Sequence, residues 1–146
     1  MLGDEIKVKE GSLELSGGKP LSKLNNKELG ALGEGCAAVY LEDQGLELLD
    51  RNWRCDAGEA DIICRDDDEV VLVEVKTRYK TSCKLDPLPE LAVDGRKQRR
   101  YQKIALIYMG YHYPCEHIRF DVVAINMYDG GKYCLRHLVR AYECDE

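Results

Sequence analysis

The chain has 146 residues, of which 45% are hydrophobic and 33% are charged, and its net charge is −6. This length suits a single domain with its own core. The acidic balance argues against a protein whose whole surface binds nucleic acid, so any such binding must come from a local patch. No apolar run approaches the roughly 20 residues of a membrane span, and the acidic start does not resemble an export signal. We therefore expect a cytoplasmic protein with no membrane partner.

The seven cysteines show no Cys-x-x-Cys pair. An odd count without an export signal favours free, mostly buried thiols over a disulfide framework. The alternative is a zinc-stabilised domain that uses Cys115, His117 and His112, although a second ligand pair is missing.

Residues 1–24 contain several glycines and a proline without a sustained period, which predicts a loose arm ahead of a single domain at residues 25–146. Apolar residues at helical spacing then predict a first helix that begins near Asn25 or Asn26 and ends by Gly45. This helix contains three glycines: Gly30, Gly33 and Gly35. Because glycine lowers helix stability, we expect them to allow close approach to another element.

Three short aliphatic runs follow, and the turn-prone residues between them predict a meander of antiparallel strands. The runs are residues 46–53, 60–64 and 70–77. Helical spacing returns at residues 90–110, and two further strands are predicted at 118–126 and 132–139, joined by an Asp-Gly-Gly turn. The order α-β-β-β-α-β-β predicts an α/β fold with a mixed five-stranded sheet flanked by helices.

Two charged residues interrupt the third aliphatic run. Because side chains alternate along a strand, Leu72, Glu74 and Lys76 share one face. Both faces begin apolar, which is typical of a covered central strand, so the charges are expected where the sheet meets a cleft. If the second and third strands pair through the acidic turn at residues 65–69, Asp61 lies opposite Glu74. Two such carboxylates repel unless a cation lies between them, and hard oxygen ligands suit Mg²⁺ or Mn²⁺.

Both predicted helices also carry charged residues. A helical wheel places Glu34 at the flank of the buried face, either reaching the cleft or serving as an ordinary rim glutamate. The second helix holds the densest basic cluster: Arg96, Lys97, Arg99, Arg100 and Lys103. This cluster is either a solvated face or a phosphate-binding surface. Lys97 lies on the apolar stripe with Tyr101 and Tyr108, so it should point toward the sheet. We expect the tyrosines of this region to be core residues rather than base-stacking platforms: Tyr101, Tyr108, Tyr111 and Tyr113.

Several motifs in a fixed order resemble those of the YraN family of predicted endonucleases. They are NKELGALGE at 26–34, RNWR at 51–54, GEAD at 58–61, VEVKTR at 73–78, Lys97, and RFDVV at 119–123. The match covers residues 25–125, and the linked motifs make it specific. That family is in turn similar to the PD-(D/E)xK nuclease superfamily and to archaeal-type Holliday junction resolvases.

The resemblance implies a restriction-endonuclease-like fold and a metal-dependent nuclease that acts on DNA, including branched or structured DNA. It implies four active-site positions: Glu34, Asp61, Glu74 and Lys76. Asp61, Glu74 and the Val75 carbonyl would bind Mg²⁺ or Mn²⁺, and Glu34 would complete the site directly or through water. Lys76 would orient or deprotonate the attacking water, or neutralise developing charge. Ala60 stands where the superfamily motif has proline.

DNA phosphates would contact Arg78 together with the basic cluster of the second helix. A homodimer is expected by analogy with resolvases. The alternative function is a non-catalytic nucleic-acid-binding or protein-interaction module that retains the nuclease fold, which the acidic net charge favours.

Overall fold

The computed structural model describes residues 5–14, 18–81, 94–112 and 117–143, with the side chain of His112 excluded. Its elements are β1 Glu5–Ser12, α1 Asn26–Asp43, β2 Glu47–Cys55, β3 Gly58–Asp66, β4 Glu69–Tyr79, α2 Gly95–His112, β5 His117–Met127 and β6 Lys132–Tyr142, with short 3₁₀ turns at Leu21–Lys23 and Asp129–Gly131. No helix within these ranges is both long and apolar enough to cross a membrane.

The strands form one sheet in the order β1-β6-β5-β4-β3-β2. Only the β4–β5 pair among them is parallel. The predicted mixed α/β architecture and the antiparallel meander from β2 to β4 are therefore confirmed.

The predicted count of five strands is wrong, because residues assigned to the loose arm form a sixth strand. Glu5–Ser12 pairs with β6 in regular antiparallel register, from Glu5 opposite Val139 to Ser12 opposite Lys132. This edge strand buries little side-chain surface, since Ile6 is 39% exposed and Val8 is 60% exposed. Its stability comes from pairing with a distant strand, which a local hydrophobic pattern does not report.

The two helices cover opposite faces of the sheet. The α1 layer packs on the face that carries Val71 and Val73, while the α2 layer packs on the face that carries Leu72. These residues are 0% exposed, so the middle of β4 is the covered central strand that its sequence predicts. Glu74 and Lys76 continue the α2-side face beyond this buried stretch.

The first helix begins as the sequence predicts. Asn25 caps it by accepting the backbone N–H of Glu28, whose side chain accepts the N–H of Asn25 in return. Gly33 lies against β4 so closely that a Cβ built there would be 1.8 Å from Thr77 Oγ1. Close approach therefore explains Gly33, whereas a Cβ at Gly30 or Gly35 would meet open space.

The second helix begins at Gly95, later than predicted, and residues 90–93 of its predicted span lie outside the described residues. Asp94 precedes it and accepts the backbone N–H of Lys97 at 2.9 Å, which satisfies a donor of the first turn. Tyr101 and Tyr108 are 2% and 1% exposed, which confirms that both are core residues. The expectation is wrong for Tyr111, which is 78% exposed near the end of the helix, and Tyr113 lies outside the described residues.

The cysteines that the structure describes are free thiols, as predicted. Cys36, Cys64 and Cys134 are buried, and Cys55 is partly buried. The alternative zinc site cannot be placed, because Cys115 and the side chain of His112 lie outside the described residues. His117 is near Asp68, with Nε2 3.8 Å from Oδ2.

Candidate active site

The candidate site lies where β3 separates from β4. The β3–β4 ladder extends from Asp66–Glu69 to Ile62–Val73, whereas the β4–β5 ladder continues to Tyr79–Met127. Within the described ladders, the last six residues of β4 therefore pair on one side, and their other edge faces a cleft. This separation brings charged side chains to the end of an otherwise buried strand.

Glu74 is the most buried of the charged residues in this cleft. Its side chain is 3% exposed, and Lys97 Nζ from α2 lies 2.5 Å from its Oε1. Neither carboxylate oxygen accepts a well-directed hydrogen bond from any residue that the structure describes. A buried carboxylate needs a counter-charge and hydrogen-bond donors, so this one is only partly satisfied. The ion pair also confirms that Lys97 points toward the sheet.

Asp61 lies one residue beyond the last β3–β4 pair, in continuation of the register that places it opposite Glu74. Its Oδ2 accepts the backbone N–H of Val75 at 2.8 Å, which bridges the gap where the two strands separate. Burial raises the pKa of Asp61 to about 6, and the negative charges of Glu34 and Glu74 act in the same direction. Asp61 is thus held near other carboxylates, at a position that a cation would stabilise.

The backbone of Val75 also faces this gap. The N–H and C=O of one strand residue point to the same side, and the N–H of Val75 points to Asp61. Its carbonyl therefore lies on the Asp61 side of β4 rather than toward β5. This orientation makes the Val75 carbonyl available beside Asp61, as the sequence resemblance implies.

Glu34 is half-buried on α1 and belongs to the same electrostatic environment, since its charge raises the pKa of Asp61. Burial raises the pKa of Glu34 itself, while a hydrogen bond from Asn52 and the charge of Arg51 oppose that shift. Within the described ranges, no three His, Cys, Asp or Glu side chains approach closely enough to form a metal-binding cluster. Glu34 therefore stands near the two carboxylates without joining them in one compact ligand set.

Asn52 is a site residue that the sequence reasoning did not single out. It lies in β2 between Arg51, which pairs with Ile62, and Trp53, which pairs with Ala60. Its φ of 52° is in the left-handed region, which asparagine tolerates better than most residues. This conformation occurs opposite Asp61, and the Asn52 side chain bonds Glu34. Asparagine is uncommon within strands, so its place in a predicted strand is the sequence feature that could have identified this residue.

Tyr101 has a positioning role in addition to its place in the core. Its hydroxyl oxygen accepts the backbone N–H of Asp61 at 3.3 Å. The β3 backbone at Asp61 is therefore tied to α2 through Tyr101 and to β4 through its own carboxylate. These two contacts hold Asp61 in place although the β3–β4 ladder has ended.

Lys76 follows Glu74 on the same face of β4 and lines a cleft of about 690 Å³. The lining residues also include Arg78 and Lys97. Burial lowers the pKa of Lys76, while the charge of Glu74 opposes that shift. The cleft therefore combines a half-buried lysine, a buried carboxylate and further cations.

The other basic residues of α2 lie farther along its solvent side. Arg96, Arg99, Arg100 and Lys103 are exposed, as is Arg78 on β4. The side chain of Arg100 packs on Gly58 at the start of β3, where a Cβ would be 3.0 Å from its Cδ. This contact ties one cation of the helix to the strand that carries Asp61.

Arg119 and Asp121, which alternate on one face of β5, form an ion pair with Arg119 Nε 3.0 Å from Asp121 Oδ1. His137 also contacts Asp121, with Nε2 2.7 Å from Oδ2. Arg119 extends to Asp66 at the β3–β4 hairpin. This network therefore lies at the end of β4 opposite to Lys76. Its residues connect strands of the sheet and do not line the cleft.

Comparison with known proteins identifies relatives for most of the chain. The model of the uncharacterised protein family UPF0102 matches residues 33–125. A UPF0102 protein of Pelobacter propionicus is 43% identical over 122 residues, which cover 82% of this chain and 85% of the relative. One from Geobacter metallireducens is 42% identical, with coverage of 82% and 96%. One from Syntrophus aciditrophicus is 45% identical, with coverage of 73% and 82%. The chain belongs to the UPF0102 family.

Proposed function

We propose that this protein is a metal-dependent phosphodiesterase that cleaves DNA, with a restriction-endonuclease-like core. The observation that carries the proposal is the Glu74 carboxylate, which is buried at the β3–β4 separation without a well-directed hydrogen bond from the described residues. Asp61 lies beside it with a raised pKa. A buried carboxylate that has an ion pair but no well-directed hydrogen bond is costly for a fold to retain, and a bound cation would offset that cost.

The residues present fit a hard divalent cation. Asp61, Glu74 and the carbonyl of Val75 would hold Mg²⁺ or Mn²⁺, both of which prefer oxygen ligands and retain several waters. Glu34 would act through water, since it stands outside a compact ligand cluster. When bound, such an ion supplies a more acidic water and a partner for a phosphate oxygen.

Lys76 and Lys97 have separate roles in this proposal. The lowered pKa of Lys76 supports it as the group that orients or deprotonates the attacking water, or that neutralises charge at the phosphate. Lys97 neutralises Glu74 in the metal-free protein through their ion pair. Lys97 also lines the cleft, where its ammonium would contribute positive charge toward the phosphate.

The exposed cations would hold the DNA backbone on either side of the cut. Arg96, Arg99, Arg100 and Lys103 form one row on α2, and Arg78 extends the positive surface along β4. Contacts of this kind recognise phosphate without reading sequence, and their affinity falls with salt. Branched DNA is one candidate substrate. By analogy with resolvases, we also propose that the protein forms a homodimer.

The test is incubation of the purified protein with linear duplex, single-stranded and four-way-junction DNA in Mg²⁺ or Mn²⁺. We expect cleavage that is lost in Glu74→Gln and Lys76→Ala. The matched control is Glu42→Gln, which changes an exposed glutamate on α1. The absence of cleavage on every substrate, or equal cleavage by Glu74→Gln and the control, would refute the proposal.

A non-catalytic DNA-binding or protein-interaction module is the second candidate. It is favoured by the lack of a three-residue metal cluster within the described ranges. Calorimetric titration with Mn²⁺ separates the two candidates, because a module without a site binds no ion in a manner that depends on Asp61 and Glu74. Binding that disappears in Asp61→Asn and Glu74→Gln would exclude this second candidate.

A further inference from the structure

The cleft beside Glu74 continues along β4 as a row of cations. Lys76 and Arg78 lie on the same strand face as Glu74, and Lys80 follows in the same alternation just after the strand ends. All three line the cleft. Alternate strand residues are about 6.6–6.8 Å apart, so the three cations form a nearly straight row that leads away from the candidate metal site.

The cleft spans the free edge of β4, with the cations on the α2 side of the sheet and an apolar, aromatic group on the α1 side. This group consists of Leu24, Leu29 and the ring of Tyr79, all of which are partly buried against the α1-side core. The Tyr79 hydroxyl donates to Asp129 Oδ1 at 2.8 Å, which fixes the orientation of the ring. An aromatic ring near a row of cations is an arrangement that binds unpaired nucleotides, because a base stacks on the ring while phosphates meet the cations.

The straight line of the cations also favours one strand over a duplex. The phosphates of a duplex strand wind around the helix axis, so they follow a straight row only over a short distance. A short straight row of cations in a small cleft is matched better by a few nucleotides of an extended strand.

We propose that this cleft binds an unpaired stretch of DNA, with phosphates on Lys76, Arg78 and Lys80 and a base on Tyr79. This inference rests on the proposed function and names its substrate class as DNA with a single-stranded segment at the cleavage point. Tyr79 and Lys80 thereby become specificity-determining residues, in addition to the residues of the candidate metal site.

The experiment is fluorescence anisotropy with a labelled oligothymidylate and with a duplex of equal length, in EDTA so that no cleavage occurs. We expect the single strand to bind at least about tenfold more tightly than the duplex. Tyr79→Leu should weaken single-strand binding by between about fivefold and a hundredfold. Tyr79→Phe, which retains the ring but loses its bond to Asp129, should weaken binding less than Tyr79→Leu does.

The double variant Arg78→Ala/Lys80→Ala should weaken binding and lower the salt dependence by about 1.4 in the logarithmic slope, since each phosphate contact to a single strand contributes about 0.7. Arg65→Ala at the β3–β4 hairpin is the control for loss of a positive charge at the other end of β4. Thermal melting of each variant establishes that it is folded.

Equal affinity for the two probes would overturn the inference, as would variants that bind as tightly as Arg65→Ala. Failure of the proposed function has a different result. A protein that binds the single strand through Tyr79 and Arg78 but never cleaves DNA in Mn²⁺ would refute the nuclease and retain the binding site. A protein that cleaves DNA with no preference for unpaired strands would support the nuclease and refute the single-strand binding site.

Discussion

Replacing Lys97 with methionine removes the positive charge that faces Glu74 while retaining a side chain of similar length. The Glu74 side chain is 3% exposed and that of Lys97 is 43% exposed, so Lys97→Met leaves a buried carboxylate without its counter-charge. Removing one partner of a fully buried pair costs about 3–5 kcal/mol. Because water screens the partly exposed Lys97, we expect the metal-free variant to lose about 2–3 kcal/mol of unfolding free energy.

The reciprocal change should have a much smaller effect. Glu74→Gln removes the buried charge itself and leaves Lys97 able to extend into solvent, so we expect it to remain within about 1 kcal/mol of the unmodified protein. The double variant should resemble Glu74→Gln, because the cost of Lys97→Met depends on the charge that Glu74 carries.

Urea unfolding in EDTA, followed by circular dichroism, measures these differences in free energy. Adding Mn²⁺ in place of EDTA should raise the unfolding free energy of Lys97→Met by more than that of the unmodified protein, because the ion replaces the missing counter-charge. Equal losses for Lys97→Met and Glu74→Gln would refute this reasoning, as would a loss below about 0.5 kcal/mol for Lys97→Met.

Three further predictions follow from local geometry. Gly33→Ala should destabilise the protein by about 1–3 kcal/mol in urea unfolding, because its Cβ would meet Thr77, whereas Gly35→Ala should be neutral or stabilising. Asn52→Ala should cost about 1 kcal/mol more than Asn52→Gly, since glycine accepts the positive φ, and equal losses would argue against strain. Because the pKa of Asp61 is raised to about 6, the unfolded chain releases its proton at lower pH than the folded protein. The unfolding free energy of the metal-free protein should therefore fall by on the order of 2 kcal/mol as the pH rises from about 4 to 6. Urea unfolding at a series of pH values should show this fall, and Asp61→Asn should abolish it.

Much of the β3–β4 part of the site is predictable from the sequence, because strand alternation and hairpin pairing are local rules. Alternation puts Glu74 and Lys76 on one face, and the short acidic turn sets the register that brings Asp61 opposite Glu74. Helical spacing places Lys97 on the stripe that faces the sheet. Each of these relations depends on residues that are close in sequence or on one regular element.

The placement of Glu34 shows where local rules end. Its position on the helical wheel is compatible with a rim residue or with a site residue, since the wheel does not say how α1 crosses the sheet. The way α1 crosses the sheet depends on the close contact between Gly33 and Thr77 of β4. These two residues are distant in sequence. That packing puts Glu34 near Asp61 and within reach of Asn52, but outside a compact three-carboxylate cluster.

The sequence by itself determined the central strand, its alternating charges and the two helices that cover it, because each of these has a regular hydrophobic period. Tertiary structure alone decided the pairing of β1 with β6, the left-handed Asn52 and the contact of Tyr101 with Asp61. It also decided that β3 leaves β4 after Val73, which opens the cleft. These features depend on contacts between elements far apart in the chain, and no local period encodes such contacts.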